Sequence, residues 1–481
     1  MAGPTIVLLP AWGSGHFMSA LEAGKRLLVA GGGAVSLTVL VMQAPTEIEA
    51  SVVEAHVRRE AASGLDVTFR RLPAVEHPTG CEATEEFMSR YVERHAHHVK
   101  AAIAGLASPV AAVVVDLFFT PLLDAAHELS LPAYVYFAST AAFLALMLRL
   151  PELRDDLTVG FDGMEGTVDV PGLPPVPPSY MPVCLVSKTV KNYDWFEYHG
   201  RRFTEAKGII VNSSVELEGA VLAAIADGRR PAPAIHAIGP VIWFDATLPP
   251  EQPHECVRWL DAQPAASVVF LCFGSIGFLD AAQVRELAAG LERSGHRFLW
   301  VLRGAPAGGV RYPTDADPGE LLPEGFLEAT AGRGMVWPRW APQKDILGHA
   351  AVGGFVTHCG WNSVLESLWF GVPMATWPLY GEQHLNAFEA VASMGVAVEL
   401  RRTTAKDGDA ARSLVEAAEV ERAVRRLMAP QGGGSSEARE KAAEVSAACR
   451  KAVEEGGSSH AALQRLVREI VRVVAGHTRP E

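Results

Sequence analysis

Short apolar runs alternate with longer amphipathic stretches along most of the chain. Residues 6–9, 111–115 and 133–137 are continuous apolar runs, and residues 35–41 are apolar except for Ser36 and Thr38. Such runs are expected of strands that are buried on both faces of a sheet. A helical pattern follows the first run, from His16 to about residue 30. Strands of this kind that alternate with helices predict an α/β fold with a doubly wound parallel sheet.

The same alternation restarts after a proline-rich stretch at residues 238–253, where we expect an interdomain linker. A helix is predicted at residues 280–291. Further strands are predicted at residues 267–273, 298–302, 352–357 and 373–377. We therefore place one domain at residues 1–245 and a second at residues 246–458. Residues 459–481 carry apolar side chains at helical spacing, which predicts a terminal helix that packs back on the first domain.

Composition excludes several classes of function. The chain has 481 residues, of which 49% are hydrophobic, so it can bury two large cores. Its net charge of -13 would repel a phosphate backbone, so no nucleic-acid partner is expected. Its six cysteines are scattered without a C-x-x-C pair, as is typical of reduced thiols. Without a signal peptide or an apolar run of ~20 residues, we expect a cytoplasmic monomer with no stable membrane anchor.

A glycine-rich turn that carries a histidine follows the first predicted strand. Gly13-Ser-Gly15-His16 begins like the dinucleotide motif G-x-G-x-x-G, but Met18 stands where the third glycine is required. No suitable acidic residue ends the second strand, so a nicotinamide cofactor is not expected. The G-x-x-x-x-G-K-[ST] motif of P-loop proteins is also absent.

Asp116 directly follows the apolar run at residues 111–115, so it lies at the carboxyl end of another strand of the same predicted sheet. A carboxylate that binds one imidazole nitrogen orients the ring and leaves the other nitrogen to remove a proton. His16 and Asp116 are therefore a candidate catalytic pair. The alternatives are a structural role for His16 and a helix cap for Asp116.

The most specific signal is the 44-residue segment from Trp340 to Gln383. WAPQKDILGHAAVGGFVTHCGWNSVLESLWFGVPMATWPLYGEQ closely resembles the signature segment of the plant UDP-dependent glycosyltransferases of small molecules, glycosyltransferase family 1. The resemblance covers nearly the whole chain, including the turn at His16, V-D-L-F at Asp116 and F-G-S at Ser275. It implies the GT-B fold, in which two Rossmann-like domains face each other across a cleft. In appearance the sequence is closest to the grass enzymes that glucosylate flavonoids and other polyphenols.

The resemblance also implies which residues bind the donor. The residues expected to bind the UDP-sugar are Ser139, Ser275, Trp340, Ala341, Gln343, His358, Trp361, Asn362, Ser363, Glu366, Trp377, Glu382 and Gln383. A helix that begins near Trp361 would offer N–H groups and a positive dipole end to the diphosphate. Trp340 is expected to stack on the uracil ring and Glu366 to bind the ribose. Trp361 and Trp377 could instead be core aromatics.

Together these features imply inverting transfer of glucose from UDP-glucose to a hydroxyl of a small aromatic acceptor, a flavonoid or related polyphenol. Gln383 resembles the glucose-using members of the family, whereas a histidine there would suggest galactose. The acceptor pocket is expected in the first domain, since that domain supplies the base. Candidate lining residues are Phe17, Met18, Phe87, Met88, Phe118, Phe119, Met181 and Trp195. The alternatives are C-glucosylation of a phenolic ring, a UDP-sugar epimerase or hydrolase, and a non-catalytic UDP-sugar binder.

Three short clusters resemble metal sites, but their settings favour solvated surface. They are Asp315 with Asp317, Asp407 with Asp409, and the histidines His95, His97 and His98. The two D-x-D elements lie in predicted loops, and the histidines lie in a predicted helical stretch at residues 85–106, where we expect them to face solvent. We expect no metal and no cofactor, with UDP-glucose as co-substrate. The helix terminus and His358 are expected to stabilise the leaving diphosphate instead.

Overall fold

The computed structural model describes residues 3–156, 160–187, 191–229, 232–244, 253–307, 311–400, 414–429 and 436–477. The chain divides into two compact units. The first unit is Met1–Trp243 together with Cys449–Glu481, and the second unit is Phe244–Ala448. The chain returns to the first unit at Cys449, inside a helix, whereas the sequence pattern placed this boundary at residue 459.

The strands and helices follow in chain order. The strands are β1 (Thr5–Leu9), β2 (Ser36–Val41), β3 (Val67–Arg71), β4 (Val110–Asp116), β5 (Ala133–Phe137), β6 (Gly208–Val211), β7 (Ala234–Ala237), β8 (Val268–Cys272), β9 (Arg297–Val301), β10 (Arg303–Pro306), β11 (Pro313–Asp315), β12 (Gly334–Trp337), β13 (Val352–Thr357), β14 (Met374–Thr376) and β15 (Ala397–Glu399). The helices are α1 (Ser14–Ala30), α2 (Glu47–Ala61), α3 (Thr84–Arg94), α4 (Ala96–Ala104), α5 (Leu123–Glu128), α6 (Ala141–Asp156), α7 (Lys191–Phe203), α8 (Val215–Ala226), α9 (Glu255–Asp261), α10 (Ala281–Ser294), α11 (Pro318–Leu321), α12 (Phe326–Ala329), α13 (Gln343–Leu347), α14 (Trp361–Trp369), α15 (Gln383–Phe388), α16 (Ala417–Leu427), α17 (Ser436–Val453) and α18 (Ser458–His477). Short 3-10 turns lie at Thr120–Leu122, Phe161–Gly163, Pro178–Tyr180 and Val183–Leu185, and a π-helical turn lies at Glu389–Ser393.

The first unit is built on a seven-stranded sheet in the order β3-β2-β1-β4-β5-β6-β7, with every neighbouring pair parallel. Strands β4 and β5 are almost completely buried, which explains their continuous apolar sequences. The terminal helix α18 contacts α1, β4 and β7 of this unit. Its residues Leu466 and Ile470 are completely buried there, and each such side chain contributes about 1.5–3 kcal/mol to stability.

The second unit is built on a six-stranded parallel sheet in the order β12-β9-β8-β13-β14-β15, and β10 and β11 form a separate antiparallel pair. Its core includes Trp300 on β9 and Leu287 on α10, both buried. When the six strands are renumbered within this unit, their order is 3-2-1-4-5-6, the order of the first six strands of the first unit. The predicted α/β class with two doubly wound sheets is thus confirmed.

One predicted helix is interrupted. The stretch predicted at residues 85–106 forms α3 and α4, with His95 at the junction between them. His95 is completely buried, and its Nδ1–H donates to the carbonyl oxygen of Tyr91 over 3.0 Å. The expectation that His95 faces solvent is therefore wrong, because its ring packs edge-on against the Tyr91 ring. His97 is exposed and His98 is half-buried.

None of the helices that the structure describes combines the length and the apolar composition needed to cross a bilayer. All six cysteines are free thiols, and four of them are buried.

The order of strands reverses at the same place in both sheets. The reversal lies between β1 and β4 in the first unit and between β8 and β13 in the second. The crevice beyond the carboxyl ends of two such strands is where doubly wound sheets bind ligands. In the first unit, His16 follows β1 and Asp116 ends β4. In the second unit, Ser275 follows β8 and His358 follows β13. The topology therefore places the predicted residues at both switch points.

Candidate active site

The first unit brings His16 and Asp116 together. His16 lies in the first turn of α1, and Asp116 is the last residue of β4. The Nδ1 atom of His16 lies 3.0 Å from Oδ2 of Asp116. Asp116 is completely buried, whereas the His16 side chain is 35% exposed. A buried carboxylate thus orients an imidazole that solvent can reach.

The other oxygen of Asp116 serves the turn that follows β4. Oδ1 accepts the backbone N–H of Phe118 over 3.1 Å. The next α-helix, α5, has no side-chain cap, so Asp116 shapes the turn and binds His16 instead of capping a helix. Each oxygen of the carboxylate therefore has its own partner.

Aromatic side chains lie next to the pair. The ring of Phe118 lies 5.5 Å from that of His16, and the ring of Phe196 lies 5.8 Å from that of Phe118. Of the other candidate lining residues, Phe87, Met88 and Trp195 are half-buried, whereas Phe17, Met18, Phe119 and Met181 are core residues. Phe118 is half-buried, so its ring can contact a flat apolar ligand beside the dyad, whereas Phe196 is buried.

Ser139 lies just after β5 and is buried. The helix that follows it, α6, begins against a carboxylate of its own unit. Glu218 accepts the backbone N–H groups of Ala141 and Ala142 over 2.8 Å and 2.7 Å. Thr140 Oγ1 accepts the N–H of Phe143 as well. The N-terminus of α6 is therefore already occupied by side chains of the first unit.

In the second unit, His358 lies between β13 and α14. Its ring is only 6% exposed, and its buried Nδ1 has no hydrogen-bond partner in the structure. Burial lowers the pKa of His358 to about 4, so the ring is neutral near pH 7. The helix beside it begins at Trp361, and its N-cap residue Gly360 provides no side chain to cap it. A neutral imidazole and a helix N-terminus together suit an anionic ligand.

Two glycines enclose the His358 ring. A Cβ atom on Gly274 would lie 2.5 Å from Nε2 of His358, and one on Gly360 would lie 2.6 Å from the same atom. Real Cβ contacts are essentially never this short. The ring can therefore take this position only because both residues lack a side chain. Ser275, which follows Gly274, is exposed.

Three predicted donor-binding residues form one hydrogen-bonded cluster. The amide nitrogen of Gln343 donates to Ser363 Oγ over 2.9 Å and to Glu366 Oε2 over 2.7 Å. Burial raises the pKa of Glu366, and Lys344 and Gln343 counteract that shift. Ala341, two residues before Gln343, is buried, and Asn362, directly before Ser363, is half-buried. The arrangement offers a carboxylate and a hydroxyl to a polyhydroxylated ligand.

The Trp340 side chain is 63% exposed. Among the exposed large hydrophobic side chains of the described residues, only Val29 is more exposed. Its carbonyl oxygen accepts the indole N–H of Trp337 over 3.0 Å, which anchors the loop. An indole held in solvent by an anchored loop offers a stacking surface for a planar ring.

Trp361 and Trp377 are buried, as in the core alternative. The Trp377 ring packs edge-on against Phe273, 5.5 Å away, and is 2% exposed. Glu382 is half-buried at the N-cap position of α15. Gln383 is buried, and its Oε1 accepts the backbone N–H groups of Leu379 and Tyr380 over 2.9 Å and 3.0 Å. These two bonds fix which end of the Gln383 amide is oxygen.

The possible metal sites are surface features as far as the structure describes them. Asp315 is exposed, and Asp317 caps α11 by accepting the N–H of Gly319. Asp407 and Asp409 lie outside the described residues. Among the described residues, Asp124, His127 and Glu205 form an exposed cluster with metal-ligand spacing. Arg202 already pairs with Asp124 and Glu205.

Sequence reasoning missed Gly274, Gly360 and Glu218. The glycines could have been found from their positions beside Ser275 and His358, because a glycine after a buried strand often permits a close approach. Glu218 has no local signal, since the helix that it caps begins far away in sequence.

Comparisons with known proteins agree with this geometry. A family model described as UDP-glucoronosyl and UDP-glucosyl transferase matches residues 232–423. Over 481 residues the chain is 59% identical to Malvidin galactosylase UGT88C3 of Oryza sativa subsp. japonica, covering 98% of each protein.

Two solved structures share the fold. One is a ugt transferase from Siraitia grosvenorii in complex with UDP, with 38% identity, a TM-score of 0.83, and coverage of 97% of this chain and 99% of that one. The other is Medicago truncatula UGT71G1 complexed with UDP-glucose, with 33% identity, a TM-score of 0.83 and coverage of 98% of each chain. The GT-B prediction is thus confirmed. The chain belongs to the plant UDP-glycosyltransferases that act on small molecules.

Proposed function

We propose that this enzyme transfers glucose from UDP-glucose to a phenolic hydroxyl of a flavonoid or related polyphenol, with inversion at the anomeric carbon. The observation that carries the proposal is the 3.0 Å contact between His16 and Asp116 at the switch point of the first sheet. Asp116 accepts from Nδ1–H of His16, so Nε2 is the atom that takes a proton from the acceptor.

The reaction is a single displacement. As Nε2 of His16 takes the hydroxyl proton, the acceptor oxygen forms a bond to the anomeric carbon on the face opposite the diphosphate. The bond from that carbon to the diphosphate oxygen breaks, and UDP leaves with the electron pair. Asp116 stabilises the imidazolium that forms. Such general-base assistance is worth about 10²–10⁴ in rate.

The second unit supplies the groups that would hold the donor. His358 and the N-terminus of α14 suit the diphosphate, since both offer hydrogen bonds or a positive dipole end to negative charge. Trp340 offers its exposed face to the uracil, and Glu366 offers its carboxylate to the ribose. Because these groups can stabilise the leaving diphosphate without a cation, activity should persist in EDTA. Loss of the rate in EDTA with recovery by Mg²⁺ would contradict that part of the proposal.

The choice of sugar rests on Gln383. Its carbonyl oxygen binds two backbone N–H groups, so its amide nitrogen is the hydrogen-bond donor of the side chain, next to the Tyr380 side chain. This donor favours the glucose assignment made from the sequence. Galactose is the second candidate, because a relative with 59% identity is a galactosylase. Competition between UDP-glucose and UDP-galactose at equal concentration decides between them, and Gln383→His should move the preference toward galactose.

The acceptor class rests on the aromatic side chains beside the dyad. Phe118 and Phe196 form an edge-to-face pair next to His16, which suits a flat aromatic molecule. The name of the rice relative points to malvidin, a flavonoid, for that protein. A panel of flavonoids, simple phenols and terpenoid alcohols should show the highest kcat/KM for the flavonoids.

His16→Ala tests the proposal directly. We expect kcat for glucosylation to fall by about 10²–10⁴ while UDP binding, measured by calorimetry, stays within about threefold. His349 provides a matched control, because its Nε2 also lies close to a carboxylate, 3.2 Å from Asp261. His349 precedes the amino end of β13, so it lies away from the switch point. His349→Ala should leave kcat unchanged. Full activity in His16→Ala would overturn the proposal.

Two further assays separate the alternative functions. An epimerase or hydrolase would consume UDP-glucose without a phenol, whereas the transferase should release almost no UDP until one is added. Acid hydrolysis of the product cleaves an O-glucoside and leaves a C-glucoside intact. A non-catalytic binder would retain UDP and form no glucoside in either assay.

A further inference from the structure

Helix α7 holds the turn that follows β4 through three side chains on one of its faces. Phe196 packs edge-on against Phe118, with ring centres 5.8 Å apart. His199 Nδ1 lies 2.7 Å from Thr120 Oγ1. Arg202 donates to the carbonyl oxygen of Thr120 over 3.3 Å. The three-residue spacing of these side chains places them along one side of α7.

His199 sits in a closed hydrogen-bonded network. Its Nδ1 meets Thr120 Oγ1, and its Nε2 lies 3.1 Å from Ser89 Oγ on α3. All three residues are completely buried. A neutral imidazole has one donor and one acceptor, so one hydroxyl donates to the ring and the other accepts from it. Both ring nitrogens are therefore satisfied away from solvent.

The electrostatic environment keeps this ring neutral. Burial, with a smaller contribution from the nearby Arg202 guanidinium, lowers the pKa of His199 to about 3. The His199 ring is consequently neutral near pH 7.

The turn that α7 holds also orients the catalytic carboxylate. Phe118 N–H donates to Oδ1 of Asp116, and Oδ2 of the same carboxylate binds His16. Phe118 also contacts both histidine rings, at 5.5 Å from His16 and 5.9 Å from His199. A shift of this turn would therefore rotate Asp116 and move Phe118 against His16 together.

We propose that His199, which touches neither substrate nor reacting atoms, is a positioning residue that sets the turn at Asp116–Phe118 through its bond to Thr120. The proposal rests on the assignment of His16 and Asp116 as the catalytic pair. It predicts that the contact with Thr120 matters for the reaction, whereas the contact with Ser89 mainly anchors the ring to α3. A purely structural histidine would give no such difference between its two nitrogens.

Two amide substitutions separate the two nitrogens. Asparagine places its amide near the position of Nδ1 and can keep the bond to Thr120, whereas glutamine reaches the position of Nε2 and can keep the bond to Ser89. We expect kcat/KM for the acceptor to fall about 10- to 100-fold in His199→Gln, because small misplacements near the chemistry are costly. His199→Asn should stay within about threefold of the wild type.

The hydroxyl partners give an independent pair of variants. Thr120→Val, which keeps the shape and removes the hydroxyl, should resemble His199→Gln in kcat and in acceptor KM. Ser89→Ala should resemble His199→Asn. In all four variants the KM for the UDP-sugar should stay within about threefold, since the donor groups belong to the second unit.

His236 provides the control for buried histidines. It lies on β7 of the same unit, is buried, and packs against Tyr134 instead of the turn. His236→Asn should lower the apparent Tm without changing acceptor KM or kcat. If the His199 and Thr120 variants lower the apparent Tm without changing acceptor KM or kcat, as the His236 variant should, the positioning role is wrong.

The outcome for His199 stays separate from the outcome for the proposed function. If His16→Ala abolishes glucosylation but the amide variants of His199 do not differ, only the positioning role fails. If His16→Ala retains full activity, the catalytic pair itself is wrong.

Discussion

The two units enter a helix at their switch points with nearly the same backbone. Gly13 precedes α1 with φ -63 and ψ 135, and Gly360 precedes α14 with φ -60 and ψ 136. Each turn carries a histidine, but the two rings lie in opposite surroundings. His16 is paired with a buried carboxylate and is 35% exposed. His358 is 6% exposed and its Nδ1 has no partner in the structure.

The difference between the two histidines shows how the same backbone turn can support two kinds of chemistry. A carboxylate beside an imidazole stabilises its protonated form, which suits a residue that takes a proton. Burial without a carboxylate keeps the imidazole neutral, which suits a residue that only donates a hydrogen bond to an anion. The backbone therefore sets where each histidine stands, and its neighbours set what it can do.

Removing the negative charge of Asp116 should have the largest effect, because it takes away the feature that distinguishes His16 from His358. In Asp116→Asn the amide can still accept from Phe118, but an NH₂ group then faces Nδ1 of His16. Nδ1 must become the acceptor, so Nε2 carries the proton and cannot serve as the base. Steady-state assays should show kcat lower by about 10²–10⁴. Asp261→Asn, which changes the carboxylate that contacts His349, is the control. Equal kcat in the two variants would contradict the catalytic role of Asp116.

Glu218 tests why the N-terminus of α6 differs from that of α14. Glu218→Ala removes two charge-assisted hydrogen bonds and leaves the N–H groups of Ala141 and Ala142 buried. The free energy of unfolding of the first unit should fall by about 3 kcal/mol. Urea unfolding measures this loss. Glu218→Gln, which keeps one carbonyl oxygen, should lose less, and a stability equal to the wild type would show that the cap is unimportant.

The stability of the second unit should depend on pH through His358. Because burial lowers its pKa from 6.5 to about 4, the unfolded chain binds a proton between these values that the folded chain does not. Stability that is present at pH 7 is therefore lost as the pH falls through this window. In His358→Asn the loss between pH 7 and pH 5 should be smaller by about 2 kcal/mol. Urea unfolding at both pH values measures it, and an unchanged pH dependence would contradict the neutral assignment.

The two N-cap glycines provide the smallest and most closely matched test. A Cβ on Gly360 would press on Nε2 of His358, whereas one on Gly13 would meet nothing within 4 Å. Gly360→Ala should raise the KM for the UDP-sugar about tenfold, because overpacking displaces the ring. Gly13→Ala, with the same backbone conformation, should raise it less than twofold. Equal effects in the two variants would mean that the position of His358 does not depend on this contact.

Much of this architecture was readable from local pattern. The buried strands β1, β4, β5 and β8 were predicted because their apolar runs are continuous. Strands β3, β6, β7, β10, β11, β12 and β15 were not predicted. Strand β3 is largely exposed and mixed in composition, and the other six have only three or four residues each. The helix predicted at residues 85–106 was too long because its pattern does not show that the chain turns at His95.

Some features of the candidate site could likewise be predicted from the sequence, and others could not. Gln343 and Glu366 could both be named from the signature segment, but the hydrogen bond that joins them across 23 residues is a finding of the structure. The residue type alone could not show that Trp377 is buried and Trp340 is exposed, because the burial of each ring depends on tertiary packing. The network of Ser89, Thr120 and His199 gave no sequence signal at all, since its members come from three separate elements.

The sequence by itself determined the two doubly wound sheets, the family and the residues at the ends of their strands. These depend on sequence patterns along the chain, from short apolar runs to the 44-residue signature segment. The tertiary structure alone decided which of those residues meet. His16 and Asp116 are 100 residues apart in the chain and touch only because β1 and β4 are neighbours in the sheet. The same applies to the neutral state of the His358 ring, because its burial depends on the packing of distant segments.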